Sequence, residues 1–410
     1  MCPARQVAGG HRPPEWGVAS PGTPGRGTVH PLMVIPVQTP AVGPAATARQ
    51  VAGRAKRERT RGEAATLVTT VVVVLVSALA GCSSVPSAGF SVSHNLLLYG
   101  STRFTVSGTV DYVLPFYNDR GGGVDSGLAR ITQADYQQRE VSFAAMRRDG
   151  LNLVRIPVGL TDYSRDTYGL GGPKGYLSRL EQTVRAADRA GLKVVISWWD
   201  SLGWGSDLLN RYRQLWSMMD AVVKEVGHDP NVMFEPYNEP NGIDWTAWTE
   251  VMKATLTEWR QVFHYKGVLI LDTINYSWDL ARSPLAAVQS ADRALQGGAA
   301  QVVFANHRYP DGETCPCGVA LQGFQDSLER WASSFPIIGT EYGVYSAGYA
   351  PNDEWMSALL GKVPAMERAG LNGAILFVWN WVDPNSLSHG PGGRLTAYGR
   401  LALHQLWRAG

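Results

Sequence analysis

Two glutamates lie where predicted strands end, and carboxyl groups in that position can act as general acid and nucleophile. Glu239 follows the apolar residues 232–234 and precedes Pro240, which stops a strand. Glu341 lies near the end of a second apolar segment, residues 336–343. Cleavage of a glycosidic bond with retention needs two carboxyl groups a few ångströms apart, one protonated and one ionised. We predict that these glutamates form such a catalytic pair. Taken alone, Glu239 could also be a solvated loop acid.

The remaining sequence predicts a fold that brings the two glutamates together. Apolar strands alternate with amphipathic helices, which indicates a parallel sheet covered by helices. The predicted strands are Val106–Val110, Asn152–Pro157, Lys193–Trp198, the run from Asn231, Gly267–Asp272, Gln301–Ala305, Pro336–Gly343 and Gly373–Trp379. The predicted helices are Gln133–Arg148, Tyr176–Ala190, Asp207–Val226, Asp244–Tyr265, Ser283–Leu295, Leu321–Ser333, Asn352–Ala369 and Arg394–Arg408. Eight units favour an α/β fold, a closed (β/α)8 TIM barrel with one catalytic domain over residues 95–410, rather than an open doubly wound sheet.

Other polar side chains at strand ends are predicted to bind the substrate or to orient the carboxylates. Arg155 lies among apolar residues, where an unpaired guanidinium is costly, so we expect it to bond to a carboxylate. A purely structural ion pair is the alternative. Asn238 can donate its amide to a sugar hydroxyl or serve a turn. His307 and Tyr309 follow the sixth strand and are placed to orient a carboxylate, although a lone histidine can be structural.

Aromatic residues are frequent at the ends of the predicted strands. Sugar rings present C–H faces that stack on aromatic side chains. We therefore predict that Trp199, after the third strand, and Trp379, at the end of the eighth, contact an oligo- or polysaccharide. Any single one of them could be a core residue instead. Asn275, after the fifth strand, completes the predicted substrate-binding set.

Charge, glycine pattern and cysteine count argue against several other functions. Of 37 basic and 35 acidic residues, 28 and 32 lie after residue 81, so no nucleic-acid partner is expected. No Gly-rich phosphate-binding turn follows the first strand, so we expect no cofactor. Cys315 and Cys317 lack further cysteines that would complete a metal site, and we expect a disulfide or two free thiols, not a metal. A monomer is expected.

The first 94 residues carry the signals of an exported protein. Residues 1–53 are rich in Pro, Gly and Ala and are predicted to be disordered, or absent from the cell if translation starts near Val51. Residues 54–81 combine a basic cluster with an apolar run and Leu-Ala-Gly before Cys82, as in a bacterial lipoprotein signal; a membrane-spanning anchor is the alternative. Cys82 would then carry lipid and begin a tether over residues 82–94. The protein would be extracytoplasmic, anchored to the bacterial cell membrane, or secreted.

Together these motifs resemble those of glycoside hydrolase family 5, the cellulase-type (β/α)8 enzymes, over about residues 95–408. The motifs that carry the resemblance are Asn238-Glu239-Pro240, Glu341 in GTEYG, Arg155 in VRIP, His307 with Tyr309, and Trp379. The resemblance implies that Glu239 is the acid/base and Glu341 the nucleophile in retaining hydrolysis of a β-linked glucan, mannan or related glycoside. The sequence departs from the family where residues 198–200, Trp-Trp-Asp, replace a histidine. A non-catalytic carbohydrate-binding protein and a transglycosidase on the same fold are the alternatives.

Overall fold

A closed barrel of eight parallel strands forms the body of the protein. The computed structural model describes residues 89–114, 136–165, 171–199, 208–310, 318–344, 352–379 and 385–407. The barrel strands are β4 (Val106–Val110), β5 (Leu153–Val158), β6 (Lys193–Trp198), β7 (Val232–Glu235), β8 (Leu269–Asp272), β9 (Val302–Arg308), β10 (Ile337–Tyr342) and β11 (Leu371–Leu376). They pair in sequence order, and β11 closes the barrel by pairing with β4. The predicted (β/α)8 TIM barrel is confirmed.

The strands are apolar because both of their faces are covered. In β5, Val154 and Ile156 pack in the large cluster between the barrel and its helices, whereas Leu153 packs in the smaller cluster that includes Val195, inside the barrel. Side chains alternate along a strand, so Arg155 shares the inner face with Leu153. A strand buried on both faces has a near-continuous apolar sequence. The charged Arg155 within it therefore lies inside the barrel.

Ten helices of six or more residues surround the barrel in the part of the chain that the structure describes. They are Arg139–Arg148, Leu160–Arg165, Gly172–Arg189, Leu208–Val226, Trp245–Thr257, Arg282–Gln296, Gly318–Ala332, Asp353–Leu360, Val363–Ala369 and Ala397–Trp407. Asp244 caps its helix by accepting the Ala247 N–H at 2.8 Å. That helix passes into a π-helical turn at Glu258–Val262. The helix predicted over 352–369 is divided after Leu360, with Pro364 in the first turn of its second part, where the missing N–H costs least.

A small antiparallel sheet covers the N-terminal end of the barrel. Its strands are β1 (Phe90–Ser93), β2 (Leu96–Tyr99) and β3 (Thr102–Arg103), so residues 90–94, assigned to the tether in the predicted domain bounds, belong to this sheet and its first turn. The Val92 N–H bonds to Gln301 Oε1 at 2.8 Å, and the Leu97 N–H bonds to Asn372 Oδ1 at 2.9 Å. Both amide partners lie at the beginning of barrel strands. This sheet therefore leaves the opposite, C-terminal end as the end of the barrel where a site can form.

The predicted export signal, Cys82 and the pair Cys315 and Cys317 lie outside the described residues. Among the helices that are described, none has the length and apolar character to cross a bilayer.

Candidate active site

Arg155 is the centre of a charged network at the C-terminal end of the barrel. Its side chain has no exposed surface. Nε donates to Glu235 Oε2 at 2.5 Å, Nη1 to Glu341 Oε1 at 2.5 Å and Nη2 to Asn238 Oδ1 at 2.6 Å. The expected bond from Arg155 to a carboxylate is therefore present. Because its partners come from two strands and a loop, the guanidinium fixes their relative positions.

Glu239 and Glu341 meet in this network although they are distant along the chain. One carboxyl oxygen from each lies within 4.8 Å of the other. The Glu341 side chain is 5% exposed and also accepts the Tyr309 hydroxyl at 2.7 Å. Glu239 is more open, with 21% of its side chain exposed. The pair thus consists of one carboxyl held by donors and one that reaches toward solvent.

The backbone around Glu239 is shaped to present its carboxyl group. Strand β7 ends at Glu235 before Pro236, and Glu239 itself adopts a left-handed conformation with φ of 55°. A non-glycine residue takes this conformation only where its surroundings hold it. Here the Glu239 N–H bonds to Asp272 Oδ2 at 2.8 Å, at the end of the neighbouring strand β8.

His307 lies below the two glutamates, fully buried in β9. Its Nδ1 is 2.9 Å from Glu239 Oε1 and 3.7 Å from Glu341 Oε2. Its Nε2 lies on the other side of the ring, 3.5 Å from Asp272 Oδ2. Strand pairing places His307 directly opposite Glu341. His307 and Tyr309 are both brought to the carboxylates, as the sequence predicted.

Burial dominates the electrostatics of Glu341 and Tyr309. Burial raises the pKa of Glu341; the charges of His307 and Arg155 lower it, Glu239 raises it, and the Tyr309 hydroxyl lowers it. The net direction is upward, so His307, Arg155 and Tyr309 are the groups that favour an ionised Glu341. Burial together with the negative charge of Glu341 raises the pKa of Tyr309 well above its ordinary value, which keeps this hydroxyl a hydrogen-bond donor.

Glu235 and Asp272, which the sequence prediction did not include, form a second carboxyl pair beneath the first. Both side chains have no exposed surface, and one carboxyl oxygen of each lies within 4.8 Å of the other. Each is the last residue of a barrel strand. An acid that ends an otherwise apolar strand was the available signal, since the same reasoning selected Arg155.

The aromatic residues at the barrel mouth differ partly from the prediction. Trp199 is half-buried there, stacks on Phe377 with ring centroids 6.0 Å apart, and lies 5.0 Å from the Arg155 guanidinium carbon. Trp379 has no exposed surface and packs in the cluster between barrel and helices. Its predicted contact with a sugar is therefore wrong. Phe377, which contacts Trp199, Tyr112 and Tyr309, occupies the mouth instead.

Asn275 follows β8 and is exposed in a left-handed conformation with φ of 54°. It lies at the same end of the barrel as Asp272, and no hydrogen bond ties its side chain to the carboxyl network within the described residues.

Two sets of three side chains have the spacing that a metal ion requires: Glu235, Asp272 and His307, and Glu239, His307 and Glu341. Both sets adjoin Arg155, whose positive charge opposes a second cation at this point. The arrangement is therefore better suited to proton transfer and carboxylate attack than to metal chemistry.

Comparisons with known proteins agree with this geometry. A family model described as Cellulase (glycosyl hydrolase family 5) matches residues 122–385. Endoglucanase 1 of Saitozyma flava is 22% identical over 283 residues, which are 64% of this chain and 76% of that protein. Among solved structures, a β-glucanase from Saccharophagus degradans has a TM-score of 0.59 at 16% identity, and a β-mannanase from Streptomyces thermolilacinus with mannohexaose has 0.56 at 17%. The two cover 78% of this chain, and 93% and 94% of the respective neighbours.

The family match, together with paired carboxyl groups at the C-terminal mouth of the barrel, identifies the chain as a glycoside hydrolase. The chain belongs to glycosyl hydrolase family 5, whose model matches more than half of its length.

Proposed function

We propose that the protein hydrolyses β-linked glucans or mannans by a retaining, double-displacement mechanism. The observation that carries the proposal is the separation of the Glu239 and Glu341 carboxyl oxygens, which is at most 4.8 Å. Retaining enzymes place their two carboxyl groups about 5–5.5 Å apart, whereas inverting enzymes leave about 6.5–9.5 Å for a water molecule. The names of similar proteins, an endoglucanase, a β-glucanase and a β-mannanase, support the substrate class.

In the first step, ionised Glu341 attacks the anomeric carbon while Glu239 donates its proton to the departing glycosidic oxygen. A covalent glycosyl-enzyme results. In the second step, Glu239, now ionised, accepts a proton from water as the water attacks the same carbon and releases Glu341. Arg155 and Tyr309 bond to both Glu341 oxygens and hold the carboxylate for attack. Glu239, the more exposed acid, is the one placed to reach the leaving group.

The substrate is held by polar and aromatic groups around the pair. We assign Asn238 and Asn275 to sugar hydroxyls, and Trp199 with Phe377 to the apolar face of a sugar ring. The Trp199 and Phe377 rings are nearly parallel, 16° apart, and form a continuous apolar wall beside Arg155. Stacking of this kind orients a pyranose without fixing every hydroxyl.

The direct test is hydrolysis of a panel of β-glucans, β-mannans and aryl β-glycosides, with the anomeric configuration of the first-formed product read by proton NMR. We expect the β-anomer to appear first. An α-anomer would contradict the retaining mechanism, and binding without any hydrolysis would favour a non-catalytic carbohydrate-binding protein. Oligosaccharides longer than the substrate would instead indicate a transglycosidase.

We also propose that the chain is a lipoprotein anchored through Cys82. The support is the basic and apolar sequence of residues 54–81 followed by this cysteine. Expression of the full chain in a bacterium fed a labelled fatty acid should give a labelled protein in the membrane fraction. Cys82→Ser should abolish the label, and a label that persists in this variant would disprove the assignment.

A further inference from the structure

The carboxyl groups of Glu235 and Asp272 lie beneath the catalytic pair with no exposed surface, and one oxygen of each is within 4.8 Å of the other. Glu235 Oε1 and Asp272 Oδ1 receive no hydrogen bond from any N–H or other O–H group of the described residues. Two ionised carboxyl groups this close in a buried site repel each other, and a proton on one of them removes the repulsion and supplies a donor. We therefore assign one proton to this pair of acids, which the proposed mechanism does not use.

The surroundings place this proton on Asp272. Burial alone would raise the pKa of Glu235, but the Arg155 guanidinium, whose Nε lies 2.5 Å from Glu235 Oε2, holds it below its ordinary value. Asp272 has no salt bridge to an arginine or lysine in the described structure. Burial and the negative charge of Glu235 raise the pKa of Asp272 well above its ordinary value.

The second oxygen of Asp272 faces the catalytic centre. Oδ2 accepts the Glu239 N–H at 2.8 Å and lies 3.5 Å from His307 Nε2. Nε2 has no hydrogen-bond partner among the described residues. Nδ1 lies 2.9 Å from Glu239 Oε1, so one proton lies between His307 and Glu239.

We propose that Asp272 is a positioning residue that stays protonated, donates this proton to Glu235, and through the Glu239 backbone N–H holds the Glu239 side chain in place beside His307. The inference rests on the proposed function, since it explains how the acid/base is positioned for proton donation. Asp272 touches no substrate in this scheme.

A divalent cation is the competing occupant of the same position, because Glu235, Asp272 and His307 have suitable spacing. It would lie beside Arg155, which already neutralises Glu235. A proton satisfies the two unbonded oxygens without bringing a second positive charge next to this guanidinium. Metal binding is therefore an outcome that the test has to detect.

Asp272→Asn is the decisive variant, because an asparagine has the shape and hydrogen-bonding capacity of a protonated aspartic acid. Its amide N–H can donate to Glu235, and its oxygen can accept from Glu239. We expect Asp272→Asn to keep kcat within about threefold of the wild type, and Asp272→Ala to lose about tenfold to a hundredfold in kcat with little change in KM. The alkaline limb of the pH–rate profile should move to lower pH in Asp272→Ala only.

Asp292→Asn is the matched control. Asp292 is also fully buried, but its Oδ1 bonds to the Arg260 guanidinium at 2.7 Å, so it is needed as an anion. We expect this variant to lower the Tm strongly, while Asp272→Asn does not. The ionisable groups that face Asp272 are Glu235, Arg155, His307 and Tyr212. The pKa values of Arg155 and Tyr212 are raised, so these two groups keep their protons throughout the profile.

The proton is also measurable without activity. The infrared spectrum of the wild type minus that of Asp272→Asn at neutral pH should show the carbonyl band of a protonated acid. If the wild type hydrolyses nothing but the band is present, the proposed function fails and the protonated Asp272 stands. Absence of the band, an Asp272→Asn variant as impaired as Asp272→Ala, or a Tm that rises with added Mg²⁺, Mn²⁺ or Zn²⁺ in the wild type but not in Asp272→Asn would overturn the inference.

Discussion

Two arginines are fully buried in the part of the chain that the structure describes, and their surroundings differ in kind. Arg260, in the π-helical turn, bonds to Asp292 at 2.7 Å and to the backbone oxygens of Tyr265, Gly267 and Gln301 at 2.9 to 3.1 Å. Asp292 accepts the Gln301 N–H with its other oxygen. One positive and one negative charge are balanced, and each is bonded on every side.

Arg155 has only side-chain partners, and these carry more acid than it can neutralise. Glu235 and Glu341 bond to it directly, and Glu239 and Asp272 lie next to them. Buried carboxyl groups in excess of buried cations must hold protons or lie near a solvent opening. The comparison teaches that the local charge balance, and not burial of an ion pair as such, distinguishes a catalytic network from a structural one.

The largest effect is expected at the catalytic pair itself. Glu341→Gln should lower kcat by roughly a thousandfold or more on every substrate, because no nucleophile remains. Glu239→Gln should cost about 10²–10⁴-fold on polysaccharides, but much less on aryl glycosides whose leaving group needs no proton. Steady-state rates on both substrate types check this. If the two variants lost the same fraction of kcat on the aryl glycoside, the assignment of Glu239 as acid/base and Glu341 as nucleophile would be wrong.

The two arginines provide the next largest contrast. Lysine cannot reproduce the planar fork of arginine. Arg155→Lys should lower kcat on the order of 100-fold because Glu341 and Asn238 lose their common donor. Arg260→Lys should lower the free energy of unfolding by about 3 kcal/mol and leave kcat per folded molecule unchanged. Urea unfolding combined with active-site titration separates the two effects. A lower kcat per folded molecule in Arg260→Lys would contradict the distinction between a catalytic network at Arg155 and a structural one at Arg260.

A smaller effect is expected from the aromatic residues after β11. Phe377→Ala should raise KM by about tenfold, equivalent to roughly 1.4 kcal/mol, because a stacking surface at the mouth is lost. Trp379→Phe should leave KM unchanged and lower stability by about 1–3 kcal/mol through the space that it opens in the core. Kinetics on a soluble oligosaccharide and thermal unfolding check both. A raised KM in the Trp379 variant would show that Trp379 contacts the substrate, as predicted from the sequence.

The last effect is a pH dependence of stability, which acts on the free energy of unfolding and not on the rate. Because the pKa of Asp272 is raised in the folded state, the folded protein binds a proton that the unfolded chain releases. This contribution is complete below about pH 4, the ordinary range of an aspartic acid, and is lost as pH rises toward the folded-state pKa. The free energy of unfolding of the wild type should therefore fall relative to Asp272→Asn by up to about 1.4 kcal/mol per pH unit above pH ~4. If urea titrations show that the difference in free energy of unfolding between the wild type and Asp272→Asn stays constant across this pH range, Asp272 is ionised in the folded protein.

The fold and half of the site could be predicted because their causes are local. Apolar runs such as 153–158, the cap at Asp244 and the helix stop near Gly150 depend on neighbouring residues and on secondary-structure periodicity. Arg155 was predicted for a related reason. A guanidinium buried inside an apolar strand needs a carboxylate partner, whichever part of the chain supplies it.

Errors arose where strand periodicity ends. Phe377 and Trp379 are two residues apart, and in a continuing strand they would share one face. Strand β11 ends at Leu376, so side chains after it no longer alternate between the two faces of the barrel wall. Phe377 packs in the inner cluster at the mouth, and Trp379 packs in the cluster between barrel and helices. The protonated Asp272 was also missed, because its state depends on Glu235, which follows from no local pattern.

The sequence by itself determined the eight strand–helix units, the capping and the identity of the acids, because these follow from side-chain chemistry and periodicity along the chain. Only the tertiary structure decided which acids share a proton, which is bonded by Arg155 and which aromatic ring faces the opening. The physical reason is that charge and solvation depend on separation in space, and barrel closure places side chains from β5, β7, β8, β9 and β10 within hydrogen-bonding distance of one another.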